Sequence, residues 1–362
     1  MRIGILGGGQ LARMLALAGY PLGFTFRCLD PAEDPCAADL IPHIRGNWDD
    51  PEALRTFVDG VDMVTFETEN IPLQALDCLE SWGVPFHPGR EALQVTQDRL
   101  LEKTYLRDCG FQTAPFASVS SLDEARHAAA SIHYPVILKT RRFGYDGKGQ
   151  KVARNSTELE AGFNALQGQD LLLEGYVSFE AEGSLIAVRD KKGHIQFYPL
   201  IHNEHRKGIL YRSEPWIAAG TLERSAREAM KTLMEKMGYV GTMTLEFFSS
   251  HGRLIANELA PRVHNSGHWT IDAAVTCQFE NHLRAITGLP LGSVASQAKY
   301  CMLNVIGQMP PRSEVLKIAA ARLHDYHKAP APGRKLGHIT LVSDDQQEIE
   351  QGWQDMLAFY QP

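Results

Sequence analysis

The first thirty residues leave few folds open. Arg2-Ile3-Gly4-Ile5-Leu6 is a short apolar run of strand character, Gly7-Gly8-Gly9 follows at once, and Gln10 to Gly19 reads as a helix. A second strand, Phe24 to Leu29, ends at Asp30, and a third, Met63 to Phe66, ends at Glu67. Strands alternating with helices predict a parallel, doubly wound sheet of the α/β class, whose functional residues gather at the carboxyl ends of strands. The glycine turn, Asp30 and Glu67 all fall at such ends. Gly7-x-Gly9-x-x-Ala12 followed by Asp30 also fits a dinucleotide-binding turn, although a glycine turn opening a helix suits any phosphate or simply a tight bend.

A second constraint lies in the middle of the chain. Thr242 to Phe248 alternates like a half-buried strand, and Arg253 to Glu258 reads as its hairpin partner across Ser249-Ser250-His251-Gly252. Pairing would set Glu246 beside Glu258, with Asn257 adjacent, and such hard oxygen ligands suit magnesium held between protein and nucleotide phosphates. A hairpin with a merely polar wet face is the plain alternative. The run Asn257 to His268 adds Arg262, His264, Asn265 and Ser266, a density of amides and imidazoles that no core strand needs.

Between these regions the chain continues in α/β fashion. Pro85 to Gly89 marks a boundary, Arg90 to Cys109 reads as one helix carrying Gln97-Asp98-Arg99 and Glu102-Lys103, and Pro135 to Lys139 as a strand. Ser156 to Gln167 is helical, Asp170 to Leu173 is a strand ending at Glu174, Gly238 to Phe248 continues a sheet, and Ala273 to Ile286 is helical. Cys301 to Ile306 and His338 to Val342 are strands of a small closing domain. The expected division is 1–95, 96–290 and 291–362. After Lys139 comes Gly144-Tyr145-Asp146-Gly147-Lys148-Gly149-Gln150, whose glycines allow a loop that closes over phosphates, or a hairpin turn centred on Asp146-Gly147.

Composition excludes several classes. With 43 acidic against 36 basic residues the formal charge is -7, which offers nothing to a nucleic acid or a membrane surface. No apolar stretch reaches the length of a membrane helix, and the start is too soon interrupted by Gln10 and Arg13 for a signal peptide. Six scattered cysteines without a Cys-x-x-Cys pair read as buried hydrophobes of a reducing compartment, so the expected location is the cytoplasm.

The order of lysine, glycine loop and acidic pair resembles the ATP-grasp superfamily over nearly the whole chain. That resemblance implies an α/β (α+β) architecture with an N-terminal Rossmann-like domain, a central ATP-grasp domain and a small C-terminal domain. It implies ATP and Mg2+ as well. Lys139 would contact nucleotide phosphates, the loop Gly144 to Gln150 would cover them, and Glu174, Gly175, Tyr176 and Val177 would form the hinge that reads adenine. Arg99, Glu182 and His205 would complete the nucleotide site, with Glu246, Glu258 and Asn257 at the metal.

Five motifs narrow the match. Gly7-Gly8-Gly9-Gln10-Leu11, Phe66-Glu67-x-Glu69-Asn70, the 144–150 loop, Pro261 to Thr270 and Gly333-Arg334-Lys335-x-Gly337-His338 together resemble the N5-carboxyaminoimidazole ribonucleotide synthases of purine synthesis. The resemblance implies carboxylation of 5-aminoimidazole ribonucleotide with bicarbonate and ATP through carboxyphosphate, and a homodimer. Arg262 is then an anion fork for bicarbonate, helped by His264, Asn265 and Ser266. Asp146, beside Tyr145, would position or deprotonate the amine; a turn former is the alternative. Arg334 and Lys335 would clamp the 5′-phosphate, Lys335 also lying near the reacting carboxyl. Glu67 would face the ribonucleotide, with backbone donors from Gly8, Gln10 and Leu11. His268 and Trp269 read as packing residues rather than ligands. Lys148, Val263 and Thr68 depart from the residues common in that family.

Overall fold

The computed structural model describes residues 1–144, 149–166, 170–217 and 220–360. Its first sheet contains β1 (Arg2–Leu6), β2 (Thr25–Asp30), β3 (His43–Arg45) and β4 (Met63–Phe66), in the order β3-β2-β1-β4 and parallel throughout. The chain leaves β1 toward β2 on one side while β4 lies on the other. The crevice between the ends of β1 and β4 is therefore a topological switch point, and the glycine turn and Glu67 stand on its two lips.

A second sheet holds β5 (Phe116–Val119), β6 (Val136–Thr140), β7 (Gln150–Ala153) and β8 (Leu171–Gly175) in the order β5-β8-β6-β7, antiparallel at every pairing. Two helices, Leu122–Ile132 and Ser156–Ala165, cover it through Ala125, Ala129, Leu159 and Phe163. Each helix begins on a side chain that accepts a backbone N–H, Ser121 from Glu124 and Asn155 from Glu158.

The third sheet contains β9 (Ala181–Arg189), β10 (Ile195–Phe197), β11 (Ile201–Arg206), β12 (Ile209–Pro215), β13 (Gly241–Ser250), β14 (Arg253–Ala260), β15 (Lys299–Ile306), β16 (Ala321–Asp325) and β17 (Lys335–Ser343). Its order is β14-β13-β9-β11-β12-β15-β17-β16, with β10 beside β9. The strands after residue 291 thus extend the sheet of the central region, joined where Arg212 and Ser213 pair with Leu303 and Met302. Their own core is distinct: Leu303, Val305, Ile339 and Leu341 pack on Ile349 and Met356 of the helix Gln346–Phe359. The helix Gly220–Lys236 buries Ala226, Met230, Leu233 and Met234 against Leu185, Met243, Leu245 and Phe247. Each fully buried leucine, methionine or phenylalanine among them contributes about 1.5–3 kcal/mol.

Three expectations change. Arg90 to Cys109 is two helices, Arg90–Thr96 and Arg99–Asp108, because Asp98 leaves the helix to accept the Leu100 N–H and to bind Arg141 at 2.6 Å. Ala273 to Ile286 is broken likewise: Thr270–Ala273 ends at an extended Ala274, and Gln278–Thr287 restarts after Cys277. The strands β9 to β12 lie in a stretch for which the sequence had suggested none. Among the described residues no helix is long and apolar enough to cross a membrane.

Candidate active site

The acidic pair is built by a register shift. Along β13 the residues Met243, Leu245 and Phe247 face the core, which leaves Glu246 on the opposite face. On β14 the core residues are Leu254, Ala256 and Leu259, so the alternation slips by one between Ala256 and Leu259. The pairing records the slip: Glu246 opposes Glu258, while the next residue, Phe247, opposes Ala256. Asn257 is the extra residue of a bulge, and both it and Glu258 turn to the face that carries Glu246. Burial, then the Glu258 charge, push the Glu246 carboxyl up to about 7. Two crowded carboxylates and an amide oxygen are a donor set that fits a hard divalent cation.

Helix Arg99–Asp108 crosses β14 with one face. Arg99 Nη1 donates to Glu258 Oε2 at 3.1 Å, the Leu259 N–H donates to Glu102 Oε1 at 2.5 Å, and Lys103 Nζ reaches the Ala256 carbonyl at 3.5 Å. Residues three and four apart on a helix make such a row. Burial, then Glu258, raise Glu102 to about 8. Arg99 also donates to the Gly144 carbonyl at 3.3 Å, which ties the start of the glycine loop to the carboxylate pair. The loop is the connection of the β6–β7 hairpin, where Lys139 pairs with Gln150 and the Thr140 N–H donates to Gly149. Tyr145, Asp146, Gly147 and Lys148 lie outside the described residues.

Lys139 and Lys103 share one buried carboxylate. Glu174 Oε2 lies 2.9 Å from Lys139 Nζ, and Oε1 lies 3.4 Å from Lys103 Nζ. Burial alone would push Glu174 up, but the two lysines prevail and hold it down at about 2. The adenine-reading role expected of Glu174 is therefore corrected for its side chain, which is committed to the lysines. The Gly175 and Tyr176 N–H groups are likewise spent on the carbonyls of Pro115 and Pro135. The exposed Tyr176 ring of the hinge leads into Val177. Across the groove His205 Nδ1 stands 2.7 Å from Glu182 Oε2. Burial works against the charged ring, yet the Glu182 bond and the Glu246 charge raise the His205 pKa.

Arg262 does present a fork, and Glu69 fills it, with Nε to Oε2 at 2.6 Å and Nη2 to Oε1 at 3.0 Å. Burial would raise Glu69; Arg262 lowers it instead. His264 is half-buried, and its pKa lies well below the ordinary histidine value, by desolvation first and then the Arg262 charge. Its Nδ1 accepts the Ser266 N–H at 3.2 Å, so the neutral ring carries its proton on Nε2, 3.5 Å from Glu246 Oε1. Ser266, expected at the substrate, is fully buried instead and receives the Ser184 hydroxyl at 2.7 Å, a network that orients His264. Asn265 pairs its amide with Asn304 and His268.

The glycine turn is also corrected. Gly8 donates its N–H to Asp30 Oδ2 at 2.7 Å, Gly9 to Glu67 Oε1 at 2.7 Å, and Leu11 and Ala12 to Glu67 Oε2 at 3.1 and 3.2 Å. These donors serve the protein's own carboxylates, and a Cβ on Gly9 would collide with Glu67 Oε1. Asp30, bonded also to the Ala32 N–H, is not presented to a ribose in the manner of a dinucleotide fold. The Gln10 side chain accepts from Lys328. The pair Arg334-Lys335 diverges: exposed Arg334 donates to the Ala329 carbonyl at 3.1 Å, while the Lys335 charge bears on Glu246, His205 and His264.

Three residues of this site escaped assignment from the sequence. Lys103 read as part of a charged helical surface, and its register with Arg99 was the available signal. Glu69 stands in the Phe66 to Asn70 motif, where nothing local marks its role, because its partner lies 193 positions away. Lys328 sits in a plain loop, and nothing nearby marked it.

Known proteins are similar to this chain over nearly its whole length. Residues 1–97 match the ribonucleotide synthetase preATP-grasp domain, 104–279 the ATP-grasp domain, and 301–352 the phosphoribosylaminoimidazole carboxylase C-terminal domain. The N5-carboxyaminoimidazole ribonucleotide synthase of Pseudomonas aeruginosa is 48% identical over 350 residues, 97% of each chain. The crystal structure of the corresponding synthetase from Thermus thermophilus is 46% identical and superposes with a TM-score of 0.95 over 99% of both chains. An Aspergillus clavatus synthase in complex with ADP and 5-aminoimidazole ribonucleotide is 28% identical, with a TM-score of 0.90 over 99% of this chain and 97% of that one.

Proposed function

The chain belongs to the N5-carboxyaminoimidazole ribonucleotide synthase family of ATP-grasp ligases, and from that premise we propose how its residues divide the work. The enzyme carboxylates the amine of 5-aminoimidazole ribonucleotide in purine biosynthesis with ATP. The observation that carries the assignment of roles is the bulged hairpin, which sets Glu246, Asn257 and Glu258 on one face and leads within a few residues to Arg262 and His264.

Lys139 takes the nucleotide phosphates in exchange for part of its hold on Glu174, while the buried Lys103 keeps that carboxylate paired, and Tyr176 with Val177 borders the adenine. Glu246, Glu258 and Asn257 hold Mg2+, which when bound supplies positive charge to the phosphate oxygens. Arg262, fixed by Glu69, and the Nε2–H of His264 bind bicarbonate beside them. A bicarbonate oxygen attacks the γ-phosphorus, ADP leaves, and carboxyphosphate results. The amine nitrogen then bonds to the carboxyl carbon as phosphate departs, and the amine gives up one proton. Asp146, with Tyr145, takes or directs that proton as the loop closes over the site.

Lys328, Lys335 and Arg334 bind the ribonucleotide phosphate, with Lys335 also facing the reacting carboxyl, and Glu67 with Gln10 borders the imidazole. We place the enzyme in the cytoplasm as a homodimer, which sedimentation would test. The deciding experiment is phosphate release from MgATP in bicarbonate buffer with and without 5-aminoimidazole ribonucleotide. Ribonucleotide-dependent release with a labile carboxylated product is expected, reduced strongly in Asp146→Asn with nucleotide binding kept. An unchanged rate in that variant returns Asp146 to a turn-forming role.

A further inference from the structure

Two lysines share Glu174, and their surroundings give them different work. Lys139 stands near the end of β6, beside the glycine loop, and its side chain is 10% exposed, whereas that of Lys103 is 1% exposed. Lys103 belongs to the helix Arg99–Asp108, which is fastened to β14 where Glu102 accepts the Leu259 N–H. Its own Nζ donates to the Ala256 carbonyl of β14 at 3.5 Å. Glu174 lies on β8, in another sheet. Lys103 therefore reaches the carboxylate from a neighbouring sheet and is shut off from solvent, so that of the two lysines Lys139 is the one able to turn to a ligand.

The two oxygens of Glu174 are also held differently. Oε2 accepts a hydrogen bond from Lys139 Nζ at 2.9 Å. Oε1 is buried and accepts no hydrogen bond among the described residues; what faces it is the Lys103 charge, 3.4 Å away. Burial draws the Lys103 pKa down, and the Glu174 charge is the largest influence against that. Stability alone does not account for the arrangement, because a buried ion pair does little better than apolar side chains of the same volume. Its cost appears when one member leaves. A nucleotide asks that of Lys139: as its Nζ turns to phosphate oxygens, a Glu174 with no second cation would be a buried charge without a partner.

We propose that Lys103 is a positioning residue for ATP, holding the Glu174 carboxylate so that Lys139 can give its charge to the phosphates. This rests on the reading of Lys139 as a phosphate ligand. Lys103 touches no substrate and acts through Glu174. Without it the carboxylate and the nucleotide compete for one cation, so nucleotide affinity falls while the chemistry around Glu246, Arg262 and His264 is untouched.

The test uses the full-length enzyme and two variants, Lys103→Met and the double variant Lys103→Met with Glu174→Gln, which removes cation and carboxylate together. Lys103→Met should raise the KM for ATP about tenfold, the scale of one hydrogen bond to a charged group. The kcat at saturating ATP, the KM for the ribonucleotide and the inhibition constant of adenosine, which has no phosphates, should be kept. The second substitution should bring the KM for ATP back toward that of the unmodified enzyme, because the competing carboxylate is gone. An unchanged KM for ATP in Lys103→Met overturns the role, as does a rise that the second substitution leaves in place, or one matched by adenosine. If Lys103→Met does not fold, Glu174→Gln is compared with the double variant: equal KM values for ATP support action through Glu174, and a higher value in the double variant overturns it. Lys139→Ala separates the two failures. An unchanged KM for ATP there removes Lys139 from the phosphates; a raised one, with none in Lys103→Met, removes the role of Lys103 alone.

Discussion

In the nucleotide half of the molecule a buried carboxylate, Glu174, lies between two lysine side chains; in the amino-terminal half another, Glu67, lies in a cup of three backbone N–H groups. Both are anions at prospective anion sites, and their protons behave in opposite ways. Full charges overcome burial at Glu174 and bring it to about 2, whereas at Glu67 burial outweighs the hydrogen bonds from Gly9 and Ala12 and the carboxyl is raised. Dipoles positioned by a glycine turn shape a pocket; side-chain charge sets its electrostatics. The contribution of Glu174 to stability is complete above its ordinary pKa of about 4.3 and is lost as pH falls toward 2. For Glu67 the sign reverses, and its contribution falls as pH rises through its elevated pKa.

The largest effect should come from removing charge where the chemistry is. Glu258→Gln is expected to lower phosphate release about a thousandfold, with an unchanged circular dichroism spectrum; near-normal turnover would move the metal elsewhere. Next comes Lys139→Ala, which should raise the KM for ATP about ten- to a hundredfold, the range of one charge-assisted bond. Its melting temperature should fall most at neutral pH and converge on that of the unmodified enzyme as pH falls through about 2, where Glu174 becomes protonated in both. A deficit independent of pH would separate Lys139 from Glu174. Lys335→Ala should raise the KM for the ribonucleotide about tenfold, and an unaltered KM would contradict its place in the clamp. The smallest change is Glu67→Gln, within about 1 kcal/mol in stability. Melts at several pH values should show this variant gaining on the unmodified enzyme as pH rises; the opposite trend would mean that the backbone cup wins over burial, and the contrast between the two carboxylates would fail.

Local patterns in the sequence carried the parts of this fold that local physics determines. The β1–glycine–helix unit and the β13–β14 hairpin were readable because alternation and glycine placement are written within a few residues. The Glu246–Glu258 pairing followed from that hairpin, but the bulge that brings Asn257 round did not, since only the core on the other face reveals the slip. Ser266 misled for a related reason. Its run looked like a solvent-facing cluster of donors, and the partners that bury it, Ser184 and through it Asn203, sit on β9 and β11, some eighty and sixty residues away in the chain. Asp98 broke an apparent helix because its bond is to Arg141, 43 residues on. Long-range pairing of charges, Arg262 with Glu69 above all, has no local signature.

The junction of β12 with β15 has a consequence for the chain as a covalent object. A protease nick or a split reading frame between Gly288 and Lys299 would look harmless by position, since it falls in a connection between folded parts. It would instead leave each fragment with an unpaired strand edge, the open ladder groups of β12 on one piece and of β15 on the other. Fragments made apart would tend to aggregate, and fragments made together would find each other by completing one sheet.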